Sequence, residues 1–195
     1  MTETTGNIMP LMDVRYPVAA LDKATKADLA RRLTDVLIRM EGGADTRGGR
    51  AFAWVYFTAF AADDWWVGGR ADDAYVTAPG KFLVNVWIPE GYMNQAHKSE
   101  VHAWVADAIA QSMGARTPGG SILTVINEVA EGNWGAAGRA ISLKSIAASV
   151  GQPPDGPRMA WSQSYFDAKA RARTAAAYPA DAGGLWIDQQ TEPRG

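Results

Sequence analysis

Hydrophobic positions in the first third of the chain follow a strand period, then a helical period, then a second strand. Residues 10–16 predict a strand, and residues 51–60, AFAWVYFTAF, form an aromatic-rich run typical of a buried strand. Residues 22–41 between them predict an amphipathic helix, and GGADTRGGR at 42–50 predicts a loop after it. The apolar face of this helix consists of Leu29, Leu33, Val36, Leu37 and Met40.

The same order of elements returns later in the chain. Residues 82–88, FLVNVWI, predict a strand, and residues 95–114 predict a second helix. The sequence TPGG at 117–120 interrupts the pattern, and residues 121–129, SILTVINEV, predict another strand. One apolar helix face is formed by Val101, Trp104, Val105, Ala108, Ile109 and Met113.

The two predicted units match each other in register. Their helices correspond at a constant offset of 72 positions. The matched pairs are Lys26 and Lys98, Asp28 and Glu100, Leu29 and Val101, Leu33 and Val105, Val36 and Ala108, and Leu37 and Ile109. A similar nonapeptide follows the second strand of each unit, AADDWWVGG at 61–69 and AEGNWGAAG at 130–138, so that Trp65 matches Trp134. We interpret the chain as a tandem duplication of one β-α-β unit.

The duplication predicts an α/β (α+β) architecture. Each unit has two parallel strands joined by a right-handed crossover helix, and two units give a four-stranded sheet with two helices on one face. The other face of this sheet must also be covered, and the many aromatic residues favour a neighbouring subunit as the cover.

The predicted domain organisation has three parts. Residues 1–8 form a flexible leader, and residues 9–151 form the fused domain, with units at about 9–70 and 81–151. Residues 152–195 form a C-terminal extension, which begins with the linker QPPDGP and is predicted to be helical over residues 158–177, with a further apolar segment Leu185, Trp186 and Ile187. We expect this extension to clasp a neighbouring subunit.

Composition and charge exclude several functional classes. The 195 residues carry a net charge of −2 and no basic stripe, so nucleic acid is not an expected partner. No apolar run approaches the roughly 20 residues of a membrane span, and no secretory signal is present, so we expect a cytoplasmic protein without a membrane partner. The absence of cysteine excludes disulfides and thiol nucleophiles. His97 and His102 lack the spacing of a helical metal pair, so no metal site is expected.

Two sequence features resemble the tautomerase superfamily. One is Met-Pro at the head of the first strand, and the other is the ending VINEVAEGNWGAAGRAIS at 125–142. With the duplication, the chain is similar to fused members related to 4-oxalocrotonate tautomerase and to the cis-3-chloroacrylic acid dehalogenase group. The resemblance covers about residues 9–150 and implies a tautomerase/MIF-like fold, a small-molecule substrate, no cofactor and a homotrimer.

The resemblance implies that Pro10 is a catalytic base. A free N-terminal proline is a secondary amine whose pKa falls towards neutrality when apolar burial and nearby cations disfavour its charged form. An internal prolyl nitrogen is an amide and cannot act in this way. The role therefore requires a chain that starts at Met9 and loses that methionine. The alternative interpretation is that Pro10 caps an edge strand, where a missing N–H is tolerated.

The resemblance also implies a pocket around the proline. Tyr92 falls at a family arginine position, Trp134 retains the aromatic residue of the closing turn, and Trp54 falls on or next to a second arginine position. Asn127 is a further polar candidate, and the predicted pocket is otherwise aromatic and apolar.

The charged residues of the family pattern are missing from the matched positions. The glutamate that activates water in the dehalogenases would fall near Ala136, so dehalogenation is not expected. A carboxylate clamp would have to come from an unmatched arginine, for which Arg15, Arg39 and Arg139 are the candidates.

Two functional hypotheses follow. The first is an isomerase that moves a proton between keto and enol forms of a small 2-oxo acid or aryl-keto substrate, with Pro10 as base. The second is a catalytically silent relative that acts as a ligand-binding or assembly module.

Overall fold

A computed structural model of the protein describes residues 10–42, 45–179 and 181–186. The predicted leader at 1–8, Met9 and Ile187 lie outside the described residues. The strands are β1 (Leu11–Pro17), β2 (Trp54–Phe60), β3 (Phe82–Pro89), β4 (Ile122–Val129), β5 (Gly135–Ala136) and β6 (Arg139–Ala140). The α-helices are α1 (Lys23–Met40), α2 (Arg47–Phe52), α3 (Gln95–Ser112), α4 (Leu143–Ser149) and α5 (Pro157–Ala175).

Four strands form one mixed sheet in the order β2-β1-β3-β4. The pairs β1–β2 and β3–β4 are parallel, and β1 pairs with β3 in antiparallel orientation. Each parallel pair is joined through one long helix, as the predicted duplication requires. Because β1 lies inside the sheet, the interpretation of Pro10 as the cap of an edge strand is wrong. Pro10 precedes an interior strand, at a position where proline is tolerated because the strand has only begun.

The two long helices begin in the same way, 72 positions apart. The carboxylate of Asp22 accepts a hydrogen bond from the Thr25 amide, and the side-chain oxygen of Asn94 accepts one from the His97 amide. Such caps satisfy amide groups that have no partner within the helix. The shared caps extend the matching of the two units beyond their apolar faces.

The core lies between α1, α3 and one face of the sheet. On β1 and β3, every second side chain points to this face and is buried, because strand side chains alternate between faces. These strand residues are Met12, Val14, Tyr16, Phe82, Val84, Val86 and Ile88. The helices contribute Leu29, Leu33, Leu37, Val101, Val105 and Ile109, all fully buried. The predicted four-stranded sheet with two helices on one face is confirmed.

One predicted loop and one strand boundary are wrong. Part of the stretch GGADTRGGR folds into α2, so β2 begins at Trp54 rather than at residue 51. The Thr46 hydroxyl accepts a hydrogen bond from the Gly49 amide, and Phe52 at the other end of α2 is buried. A cap and one buried aromatic ring offset the poor helix propensity of two glycines.

The C-terminal extension packs on its own chain. The predicted helix at 158–177 is confirmed as α5, and its Phe166 is 1% exposed within the main core. Gly91 allows this contact, because a Cβ there would lie 2.6 Å from the ring of Tyr165 and 2.9 Å from that of Phe166. These contacts are made within one chain, and the expectation that the extension also clasps a neighbouring subunit stays a prediction. Within the described ranges, no helix is both long and apolar enough to cross a lipid bilayer.

Candidate functional site

Pro10 is buried at one end of the sheet. Its carbonyl oxygen accepts a hydrogen bond from the Trp54 amide at 3.2 Å, which ties it to the start of β2. In the sequence of 195 residues Met9 precedes it, so its nitrogen is part of a peptide bond and carries no proton. The position fits the predicted base, but the chemistry requires a chain that begins with this proline.

Several loops and helix ends meet at this end of the sheet, which we call the Pro10 end. Strands β1 and β2 begin there, and β3 and β4 end there, because the two parallel pairs run in opposite directions. It therefore also receives the C-terminus of α1, the N-terminus of α3 and the turn after β4. Tyr92 and Trp134 both follow strands that end there, as the predicted site requires.

Tyr92 is 2% exposed and is held from two sides. Its hydroxyl donates a hydrogen bond to the carbonyl oxygen of Glu41 at 2.9 Å, and the guanidinium of Arg158 lies 5.0 Å from its ring centre. Burial raises the pKa of the Tyr92 hydroxyl above its ordinary value, although Arg158 acts in the opposite sense. The Tyr92 hydroxyl is therefore neutral and already has a hydrogen-bond partner. Its ring, rather than its hydroxyl, is the part of the side chain that can contact a ligand.

Two charged residues of the Pro10 end were not predicted from the sequence. Glu41, directly after α1, is 3% exposed, and burial raises the pKa of its carboxyl to about 8, with Arg158 acting in the opposite sense. Arg158, in the first turn of α5, donates from Nη1 to the carbonyl of Met40 at 2.7 Å. Its Nη2 lies 3.5 Å from Nδ1 of His97. A guanidinium thus lies at the Pro10 end, although no matched position of the sequence pattern supplies one.

Trp134 belongs to a small separate cluster beyond β4. Its ring packs against Ile141 and Ile146, which are buried beside the two-stranded hairpin of β5 and β6. Its indole Nε1 is buried and has no hydrogen-bond partner among the described residues. A buried N–H without a partner is unusual and marks Trp134 as a side chain able to donate to a ligand or to a neighbouring chain.

The other predicted residues lie on the face of the sheet that no helix covers, which we call the bare face. Trp54 and Asn127 belong to one cross-strand row that also contains Leu11 and Trp87. Trp54 is exposed and donates from its indole nitrogen to the Ala51 carbonyl. The amide nitrogen of Asn127 is buried without a hydrogen-bond partner among the described residues.

Arg15 forms an ion pair with Asp13 on the bare face. Its Nε donates to the carboxylate of Asp13 at 2.7 Å, and the same carboxylate accepts a hydrogen bond from the Thr58 hydroxyl at 3.0 Å. Asp13 is buried despite lying on this face. The pair leaves the guanidinium of Arg15 partly neutralised.

Within one chain these side chains do not converge on Pro10. Arg15 lies five residues along β1 from it, about 17 Å at the rise of a strand. Trp54 and Asn127 are separated by three strand spacings, about 14 Å. Of the predicted set, Trp54 lies next to Pro10 at the start of β2. Tyr92 and Trp134 follow strands that end at the Pro10 end.

The other two candidate arginines lie elsewhere. The guanidinium of Arg39 stacks on the ring of Trp104 at 3.9 Å, on the outer surface of the helix pair. Arg139 is exposed in β6. No three histidine, aspartate or glutamate side chains of the described residues lie close enough together to hold a metal ion.

Comparison with known proteins identifies the fold. No family model matches the sequence, and no curated protein matches it. Among solved structures, a wild-type fused 4-OT in a symmetric trimer is 22% identical with a TM-score of 0.54, covering 71% of this chain and 98% of that one. The protein N1, a member of the cis-3-chloroacrylic acid dehalogenase family, is 19% identical with a TM-score of 0.53, covering 67% and 82%. The protein Pt0534, inactivated by 2-oxo-3-pentynoate, is 16% identical with a TM-score of 0.53, covering 70% and 97%.

This chain has the tautomerase fold. The likeness spans nearly the whole of the fused 4-OT structure, so it includes both β-α-β units rather than one. About three tenths of this chain is not covered by that structure. Within the tautomerase fold, Pro10 stands at the head of the first strand of the first unit.

Proposed function

We propose that the protein is a fused member of the tautomerase superfamily that catalyses keto-enol proton transfer on a small 2-oxo or aryl-keto acid. The observation that carries this proposal is Pro10, buried at the head of β1 in a duplicated β-α-β fold. The proposal holds for a chain in which removal of Met9 leaves the nitrogen of Pro10 as a free secondary amine.

The surroundings of Pro10 suit a base with a lowered pKa. An ammonium group at this buried position would lose hydration, which lowers the pKa of the amine. The neutral amine can take the proton of an enol hydroxyl and then, as the ammonium, deliver that proton to the carbon of the substrate, which regenerates the base. One proton moves from oxygen to carbon, and no other reactant is needed.

We further propose that the bare face forms the centre of a homotrimer. Large side chains are exposed on it, among them Trp54, Tyr56, Leu123 and Val125. An exposed apolar surface of this kind is typical of a subunit interface. Assembly would bring the bare face of one chain, with Asn127 and Arg15, close to the same face of another chain.

Two forms of the protein test the catalytic proposal. One begins at Pro10 after removal of the initiator methionine, and the other begins at Met1. We expect the first to accelerate ketonisation of phenylenolpyruvate and to be labelled by 2-oxo-3-pentynoate on its terminal nitrogen, as read by peptide mass spectrometry. The form that begins at Met1 should do neither, because its Pro10 nitrogen is an amide.

A matched variant completes the test. Pro10→Ala in the shorter form replaces the secondary amine of the ring with a primary amine, and we expect a large loss of ketonisation with the fold retained by circular dichroism. Equal rates for Pro10→Ala and the unaltered shorter form would refute the role of this proline.

The second candidate function is a ligand-binding module without turnover. In the sequence that begins at Met1 the nitrogen of Pro10 is an amide and cannot act as a base. The Tyr92 hydroxyl already donates to the carbonyl of Glu41, and both facts favour this function. Saturable binding of a keto acid by the form that begins at Met1, with no ketonisation by either form, would support this function over the first.

A further inference from the structure

A cavity of about 320 Å³ opens where α5 meets the N-terminus of α3. Three of its six lining residues come from the duplicated domain and three from α5. Its lining residues are Tyr92, Asn94, His97, Pro157, Arg158 and Trp161. None of these carries a carboxylate, and one carries a permanent positive charge.

The guanidinium of Arg158 is fixed in place. Nη1 is anchored to the Met40 carbonyl at 2.7 Å, and the charged plane lies 5.0 Å from the ring centre of Tyr92. A guanidinium has five N–H donors, so these contacts leave donors for a planar anion. A group already held in position loses little conformational entropy when it binds a ligand.

The buried carboxyl of Glu41 does not cancel this charge at neutral pH. Burial raises the pKa of Glu41 to about 8, so its carboxyl is mostly protonated at pH 7. His97 is mostly neutral there as well, because burial, and then the charge of Arg158, lower the pKa of its ring below the ordinary value. With Nδ1 facing the guanidinium, Nε2 is left to carry the ring proton and can donate it.

Tyr92 and Trp161 contribute aromatic rings to the walls of the cavity. The indole of Trp161 is held by stacking on Tyr165, with ring centres 5.8 Å apart and planes at 25°. The ring of Tyr92 lies below Arg158 on the inner side. Aromatic rings beside one guanidinium favour a ligand with an aryl group and one carboxylate, because a phosphate dianion would need more than one cation.

We propose that this cavity binds a small aryl carboxylic acid, with Arg158 receiving the carboxylate and Trp161 contacting the ring. The site uses residues of α5, which lies outside the duplicated units. It goes beyond the proposed proton transfer and does not depend on it, because none of its groups requires a free Pro10 nitrogen. It is therefore expected in the full chain that begins at Met1.

Isothermal titration of the full chain with phenylacetate at pH 7 tests the site. We expect saturable binding, at least tenfold weaker binding of the neutral analogue phenylacetamide, and weaker binding of phenyl phosphate. Arg158→Met should weaken phenylacetate binding at least tenfold. Arg171→Met, an exposed arginine on the same helix, is the matched control and should leave it unchanged.

A second variant keeps the test decisive if Arg158→Met does not fold. Trp161→Ala should weaken phenylacetate binding while leaving the weaker binding of acetate unchanged, since acetate has no ring. The proposal is overturned if phenylacetate does not bind, if phenylacetamide binds as tightly, or if Arg158→Met binds phenylacetate like the unaltered chain.

Discussion

The buried carboxyl of Glu41 makes stability depend on pH in a predictable direction. Burial raises its pKa from 4.5 to about 8 in the folded state. The folded protein therefore holds this proton more tightly than the unfolded chain does. As pH rises above about 4.5 the unfolded chain ionises first, so stability falls until the folded carboxyl ionises near pH 8. Below pH 4 both states are protonated and the group has no effect.

The magnitude follows from the difference in pKa. Each unit corresponds to about 1.4 kcal/mol, so the full cost above pH 9 is roughly 4 to 5 kcal/mol. Glu41→Gln removes the ionisable group and keeps the shape. The free energy of unfolding of Glu41→Gln relative to the unaltered chain should therefore increase by about 3 to 4 kcal/mol between pH 5 and pH 8.5.

Urea denaturation followed by circular dichroism measures this difference at one fixed protein concentration. Glu41→Gln also introduces amide hydrogens, which can change the free energy of unfolding by the same amount at every pH. Such a constant difference does not affect the test, because only the change of the difference with pH is used. Asp107→Asn, at an exposed carboxyl on α3, is the control and should show no such change. Curves for Glu41→Gln and the unaltered chain that stay parallel from pH 5 to pH 8.5 would refute the reasoning.

Two further predictions concern the bare face and α5. Leu123→Asp places a charge on a bare-face side chain that is 56% exposed, and should convert the proposed trimer to monomers in sedimentation. Tyr75→Asp, in an exposed loop, should leave the trimer intact, and an unaltered protein that is monomeric would contradict the proposal. Phe166→Ala removes a ring that is 1% exposed and should lower the free energy of unfolding by about 3 to 5 kcal/mol. Tyr178→Ala, at an exposed ring, should change it by less than about 0.5 kcal/mol, and similar losses for both variants would argue against a core role for α5.

The hydrophobic periodicity predicted the long helices and the main strands because the apolar positions of each element are the ones that are buried in the fold. The apolar faces of α1 and α3 are the faces that pack on the sheet, and the offset of 72 reappears in their caps at Asp22 and Asn94. The error at α2 has a local cause. Its glycines suggested a loop, while the cap at Thr46 and the burial of Phe52 favour a helix turn.

The candidate site was predicted less well, because its geometry depends on tertiary packing. Tyr92 and Trp134, both predicted from the sequence, follow strands that end at the Pro10 end, and their roles stay predictions. Sequence reasoning missed Arg158, which is 66 positions from Tyr92 and meets it only because α5 folds back. One signal was present: Met159, Ser162 and Phe166 have helical spacing and form the buried face of α5, which places Arg158 beside that face.

The contacts of α5 show why the extension cannot be separated from the duplicated domain. Burial would raise the pKa of Glu90, but hydrogen bonds from Lys169 and Tyr165 outweigh it and hold the pKa below its ordinary value. Lys169 reaches both carboxylate oxygens of Glu90 at 2.6 Å, and Arg158 faces Glu41 from the same helix. The Glu90 carboxylate, in the second unit of the duplication, therefore depends on a cation from α5. Without the helix, this poorly hydrated carboxylate would lose its cation and the core would lose the buried ring of Phe166, so the fused domain is not expected to be stable alone.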